Sequence, residues 1–223
     1  MTLPPRQLAL SLGHAESYAR DDFLSGPGNE SALALIDSWP DWPANAIALI
    51  GPEGSGKTHL ATIWAAAAGA RVISAHALHE AQLPGALATG ALVIEDAVVT
   101  VDERALFHLM NLAREERAFL LFTARTPPSV WPIALPDLVS RLRAMPVVTV
   151  QAPDDAMLRG LIVKLAADRQ LTIDDVVVRY LVARIERSFA AARAAVIALD
   201  NEALRQRRAP SRALAAEILR DGV

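Results

Sequence analysis

The sequence predicts an α/β fold: a five-stranded parallel sheet covered by helices on both faces, followed by a small all-helical domain. Three observations predict it. Short apolar runs alternate with longer helical segments between Ala46 and Val150. The run Gly51-Pro-Glu-Gly-Ser-Gly-Lys57-Thr58 matches G-x-x-x-x-G-K-[ST] in full and lies between an apolar strand and a helix. After Pro153 the strand-like runs stop and the chain reads as helix. Composition agrees, because 52% hydrophobic and only 21% charged residues exclude a disordered chain, and much of the apolar excess is alanine, which suits packed helices.

The elements follow in order. Residues 1–28 read as a tail or peripheral strand, with an apolar stretch from Gln7 to Leu12 and the breakers Gly26, Pro27 and Gly28 before the domain. Asn29 is placed to cap a helix from Glu30 to Trp39, where Ala32, Leu33, Ile36 and Trp39 keep helical spacing; Pro40 and Pro43 end it. Strand Ala46 to Ile50, helix Lys57 to Ala68, strand Arg71 to Ser74, a polar helical stretch near His79 to Leu87 and strand Ala91 to Glu95 come next. A helix from Glu103 to Arg117, strand Phe119 to Thr123, a short helix from Leu135 to Leu142 and strand Pro146 to Val150 complete the sheet. Helices are then expected over Asp154 to Arg169, Asp174 to Ala183, Ile185 to Arg207 and Ser211 to Leu219, with Asp154, Asp174 and Ser211 at their starts. The domains are therefore 1–28, a base domain 29–152 and a helical domain 153–223.

The charge balance, 22 basic against 25 acidic residues for a net −3, gives no global reason to bind nucleic acid and leaves only local patches. Absence of cysteine removes disulfides and thiolate metal sites. The apolar runs Ala46 to Ile50 and Ala61 to Ala68 are too short to span a bilayer, and the start lacks the long apolar stretch of a secretory signal, so a cytoplasmic protein without a membrane partner is expected. His59, His76 and His79 lack acidic partners at ligand spacing, and no structural metal is expected.

Chemistry concentrates at the strand ends. In the loop formed by Gly51, Pro52, Glu53, Gly54, Ser55 and Gly56, glycines permit a tight turn that aims backbone N–H groups at phosphate oxygens, and the following helix adds its positive end. Lys57 is expected to reach the β and γ phosphates and Thr58 to hold Mg²⁺, with His59 just inside the helix. The strand Leu92-Val93-Ile94 runs into Glu95 and Asp96, two carboxylates placed to hold Mg²⁺ through water and to orient an attacking water. Thr123 and Arg125 stand at a third strand end, and Arg141 and Arg143 near the end of a short helix; each is equally readable as ordinary surface polarity.

The run Gly51 to Leu60 with its His59-Leu60 pair, together with Glu95-Asp96, Thr123 and Leu138-Val139-Ser140-Arg141-Leu142, resembles the AAA+ core of the DnaA family of bacterial replication initiators. The likeness covers about residues 20 to 223, without the initiator's large amino-terminal domain or its helix-turn-helix domain. It is greatest to the short Hda-like relatives, an AAA+ base and lid preceded by a sliding-clamp-binding peptide, and Gln7, Leu8, Leu10 and Leu12 look like that peptide. The resemblance implies ADP or ATP with Mg²⁺ as cofactors and, as partners, the β sliding clamp and the initiator, with DNA reached indirectly through the clamp at the replisome. It also implies stimulation of the initiator's ATP hydrolysis, which restrains re-initiation, with weak hydrolysis by this chain itself and a homodimer left open.

In that family pattern Arg141 takes the position of an arginine finger acting on a neighbour's nucleotide, and Thr123 lies close to the first sensor position. Arg184 and Arg187 are candidate lid sensors; the initiator's own lid arginine falls nearer Ala191, with Arg193 displaced. Two departures stand out. Glu95 replaces an aspartate, and Arg125 stands where the initiator has an acid. Two other functions fit parts of the pattern: an initiator-like adaptor or loader that binds DNA through Arg205, Arg207, Arg208 and Arg212, and a stand-alone P-loop ATPase.

Overall fold

The computed structural model describes residues 18–80, 83–97 and 102–220, which divide into two compact units, residues 18–153 and 154–220. In the first, a short 3₁₀ turn at Arg20–Asp22 leads to helix α1 (Glu30–Asp37), strand β1 (Ala46–Ile50) and helix α2 (Lys57–Ala68). Strand β2 (Arg71–Ser74), helix α3 (Leu83–Ala86), strand β3 (Ala91–Glu95) and helix α4 (Glu103–Glu115) follow, then β4 (Phe119–Ala124), α5 (Pro136–Ala144) and β5 (Val147–Thr149).

The five strands form one sheet in the order β2-β3-β4-β1-β5, and every pairing is parallel. The inner strands β1, β3 and β4 are apolar along their length because both faces are covered, and alternate residues serve opposite faces. Ala48, Leu92, Ile94, Leu120 and Phe122 pack with Leu106 and Leu109 of α4 and Leu138 and Leu142 of α5. Ile47, Leu49, Val93 and Leu121 pack on the other side with Leu33 and Ile36 of α1 and Leu60, Ile63 and Trp64 of α2. Trp64 is wholly buried and stacks on Trp42 at 4.8 Å between ring centroids. Parallel pairing sends the carboxyl ends of β1, β3 and β4 to one edge of the sheet, where all the polar strand exits collect.

The second unit is four helices: α6 (Asp155–Asp168), α7 (Asp175–Val182), α8 (Phe189–Gln206) and α9 (Arg212–Arg220). Each starts the same way. The side chains of Asp154, Asp174, Ser188 and Ser211 accept hydrogen bonds from the backbone N–H three residues on, at 2.8, 2.8, 3.0 and 3.2 Å. These caps satisfy amides that a helix leaves without internal partners. Leu158 and Ile162, Val178 and Leu181, Val196 and Leu199, and Leu214 and Ile218 form the buried faces.

Three local expectations change. Asn29 precedes α1 but does not cap it with its side chain; its Oδ1 accepts from Gly26 N–H at 2.9 Å and its Nδ2 donates to the Leu24 carbonyl at 3.0 Å, so it fastens the turn before the helix. Of the helical stretch expected over His79 to Leu87, the described residues carry a single α-helical turn, Leu83–Ala86, a segment that contains a proline and a glycine. Helix α8 begins at Phe189 rather than Ile185, because Ser188 is extended, with φ −142°, and caps it. Among the described residues no helix is long and apolar enough to cross a membrane.

Candidate functional site

The loop between β1 and α2 is built from residues with little alternative. A β-carbon on Gly51 would lie 2.0 Å from the Val150 carbonyl oxygen, so glycine alone fits there. Gly56 has φ +97° at the start of α2, a left-handed conformation that ordinary side chains resist. Helix α2 has no acidic residue in its first turn and no capping side chain, so its first amides are left for a partner outside the helix. Gly54 is also left-handed, while Pro52 and Glu53 form the exposed rim of the loop.

Lys57 is buried and donates from Nζ to the Gly51 carbonyl at 2.9 Å and the Pro52 carbonyl at 2.7 Å. Its pKa lies below the ordinary lysine value, first through burial and secondarily through the Arg125 charge. The carboxylates of Asp96, Glu53 and Glu95 oppose that fall, Asp96 most strongly. Lysine 57 is thus a partly desolvated cation inside a ring of opposing charges.

Two polar atoms in this region are buried without a hydrogen-bond partner: Ser55 Oγ in the loop and Glu95 Oε1 at the end of β3. Buried polar atoms without partners are costly, and their presence at the ends of β1 and β3, on either side of β4, suits a site that receives polar or ionic ligands. The donor set fits a phosphate with a hard divalent cation: amides, a lysine and a hydroxyl on one side, carboxylate oxygens on the other.

Thr123 is buried and acts on the acid pair rather than standing free: its Oγ1 accepts from the Asp96 N–H at 3.1 Å. Its carbonyl accepts from the Ala97 N–H at 2.8 Å, and the two bonds hold Asp96 in a left-handed turn, φ +51°, with its side chain exposed. Thr58 is exposed at the first turn of α2. His59 turns to the lead-in segment: its ring meets Tyr18 and Phe23 edge-on at 5.3 and 5.1 Å, and Nε2 lies 3.2 Å from the Ala19 carbonyl.

The structure adds a contact that sequence reasoning missed. Arg125, one residue past β4, donates to Glu53 of the loop at 2.5 Å, with both side chains largely exposed. The charges were readable, but the 72-residue separation concealed the pairing, which follows from the β1–β4 register. Arg141 lies outside this cluster: its guanidinium sits 4.9 Å from the centre of the Phe107 ring on α4. In the second unit Arg184 stacks on Tyr180 at 3.9 Å, and Arg187 pairs with Asp155 at 2.8 Å. Gln7, Leu8, Leu10 and Leu12 lie outside the described residues.

No protein-family model and no curated protein matches the chain. Solved structures do. Domain III of the Thermotoga maritima replication initiation protein DnaA is 19% identical over 92% of this chain and 96% of that one, with a TM-score of 0.74. The Thermotoga maritima Holliday junction branch migration motor RuvB is 16% identical over 92% and 72% of the two chains, with a TM-score of 0.73. AMPPCP-bound DnaA from Aquifex aeolicus is 20% identical over 84% and 66%, with a TM-score of 0.66. The fold is the one these structures share, a parallel five-stranded sheet covered by helices and followed in sequence by a helical unit.

Proposed function

We propose that this chain binds ADP or ATP with Mg²⁺ on the Gly51 to Thr58 loop and acts as a nucleotide-dependent regulator of replication initiation. In this reading it docks on the β sliding clamp and stimulates ATP hydrolysis by the DnaA initiator. The observation that carries nucleotide binding is the loop itself, with Lys57 desolvated, Ser55 Oγ and Glu95 Oε1 unpartnered, and the α2 amides uncapped. AMPPCP in a DnaA neighbour of the same fold supports the ligand class. Mg²⁺, once bound with the phosphates, would be held by Thr58 and the Glu95-Asp96 pair and would neutralise phosphate charge.

The partner-directed step falls to Arg141. It is held on α5 against Phe107, apart from the Lys57, Glu53 and Arg125 group, and a guanidinium offered to a neighbour's γ phosphate stabilises charge that develops in phosphoryl transfer. Gln7, Leu8, Leu10 and Leu12 supply the clamp contact, and Arg184 or Arg187 the lid sensor. The rival DNA-binding reading is weakened within the second unit. Arg205 is paired with Glu202, whose carboxyl it helps hold at about 2, and Arg208 reaches Glu217 at 3.6 Å. Two of the four arginines in that patch therefore already have carboxylate partners.

The test measures initiator ATP turnover with DNA-loaded clamp and variants of this chain. Arg141→Ala is expected to keep ADP and clamp binding and to lose stimulation by at least 10²-fold, given the range of about 10³ to 10⁵ for arginine fingers. Arg143→Ala, a neighbouring exposed charge, is expected to match wild type. Full stimulation by Arg141→Ala would assign Arg141 to the surface.

A further inference from the structure

Helix α4 meets the lead-in to α5 and α5 itself from two points one helical turn apart, and both bear on Arg141. The carboxylate of Glu103, in the first turn of α4, accepts from the Ala134 N–H at 3.0 and 3.1 Å and from the Leu135 N–H at 2.9 Å. Leu135 is the residue that opens α5, its own side chain makes no capping bond, and Pro136 behind it has no N–H to offer. A carboxylate from a neighbouring helix thus anchors the two amides that lead into α5, and its negative charge lies at the positive end of that helix. Four residues later on α4, Phe107 presents its ring to the Arg141 guanidinium at 4.9 Å. The ring itself is partly buried against the core cluster that contains Leu106 and Leu138, which limits its freedom.

A flexible arginine on a short helix has many rotamers, and a finger that must reach a phosphate loses rate if it is displaced by even an ångström. We propose that Glu103 and Phe107 are positioning residues for Arg141: Glu103 fixes the start of the helix that carries it, and Phe107 holds its guanidinium over an aromatic face. This rests on reading Arg141 as the residue that acts on a partner's nucleotide. Neither side chain touches that nucleotide. Their effect passes through Arg141 alone.

The experiment has two readouts, one of which does not depend on the partner. In nitrogen-15 spectra of the full chain, the Arg141 side-chain Nε–H is expected to show the upfield ring-current shift of a group over an aromatic face. Phe107→Leu keeps apolar volume but removes the π face and should abolish that shift, whereas Phe107→Tyr should keep it. In the initiator turnover assay with DNA-loaded clamp, Phe107→Leu and Glu103→Ala are expected to lower the maximal stimulated rate by roughly tenfold. The concentration of chain that gives half-maximal stimulation and the affinity for ADP should stay at wild-type values, and Phe107→Tyr should restore the rate. A Phe107→Leu variant that loses the ring-current shift yet stimulates as wild type would overturn positioning while leaving the finger intact. If Arg141→Ala in the same assay stimulates as wild type, the finger reading falls and the positioning role falls with it.

Discussion

Lys57 shows how much a single residue states about its ligand. Its ammonium is buried, bonded to two carbonyls of its own loop, and held below the ordinary lysine pKa mainly by burial. Bound phosphate would favour the charged form, so the pKa in the complex lies above that in the free chain and binding takes up protons in the pH range around and between those two values. The sign follows: ADP affinity is full below the free-form pKa and falls as pH rises from that value towards the bound-form value. Calorimetry in buffers of different ionisation heat reads the proton uptake directly. Lys57→Ala is expected to lose most ADP affinity while keeping the fold, since the bonds it gives up are to loop carbonyls rather than to the core; equal affinities would contradict this. The motif around Lys57 was legible because G-x-x-x-x-G-K-[ST] is local in sequence. The Arg125–Glu53 pair and the Thr123 bond to Asp96 were not, because both are made by the sheet register across separate strands.

At the scale of elements, the inner strands were readable as continuous apolar runs, which imply parallel pairing, whereas the order that brings β1 between β4 and β5 was not legible, because such runs do not say which strands are neighbours. Helix starts were legible where a cap lay in the expected place, as at Asp154 and Asp174, and also after Asn29, where α1 begins at Glu30 as expected although the Asn29 side chain bonds elsewhere. The start of α8 was missed, because Ser188 rather than an earlier residue caps it. The caps make a measurable claim. Asp154→Ala and Asp174→Ala each remove an acceptor from an amide at 2.8 Å and should each destabilise the helical unit by about 1 kcal/mol. Urea denaturation followed by circular dichroism would show the loss, and loss of less than a few tenths of that figure would mean that water replaces the cap without cost.

For the whole molecule, the fold joins this chain to DnaA and RuvB, while identities of 16 to 20% carry no activity with them. What the molecule does must therefore rest on its own residues, and the proposal assigns it to the Gly51 to Thr58 loop, to Arg141 on α5 and to the Gln7 to Leu12 segment. A regulator built this way works only when its parts act together on a partner, which a free-standing ATPase would not require. Release of radiolabelled phosphate from ATP held by the initiator separates the two most directly, measured with DNA-loaded clamp and with or without this chain. Marked acceleration is expected only when chain and loaded clamp are both present, and its loss is expected when Gln7 and Leu12 are replaced by alanine. Turnover that is the same with and without the chain, clamp present, would contradict the account.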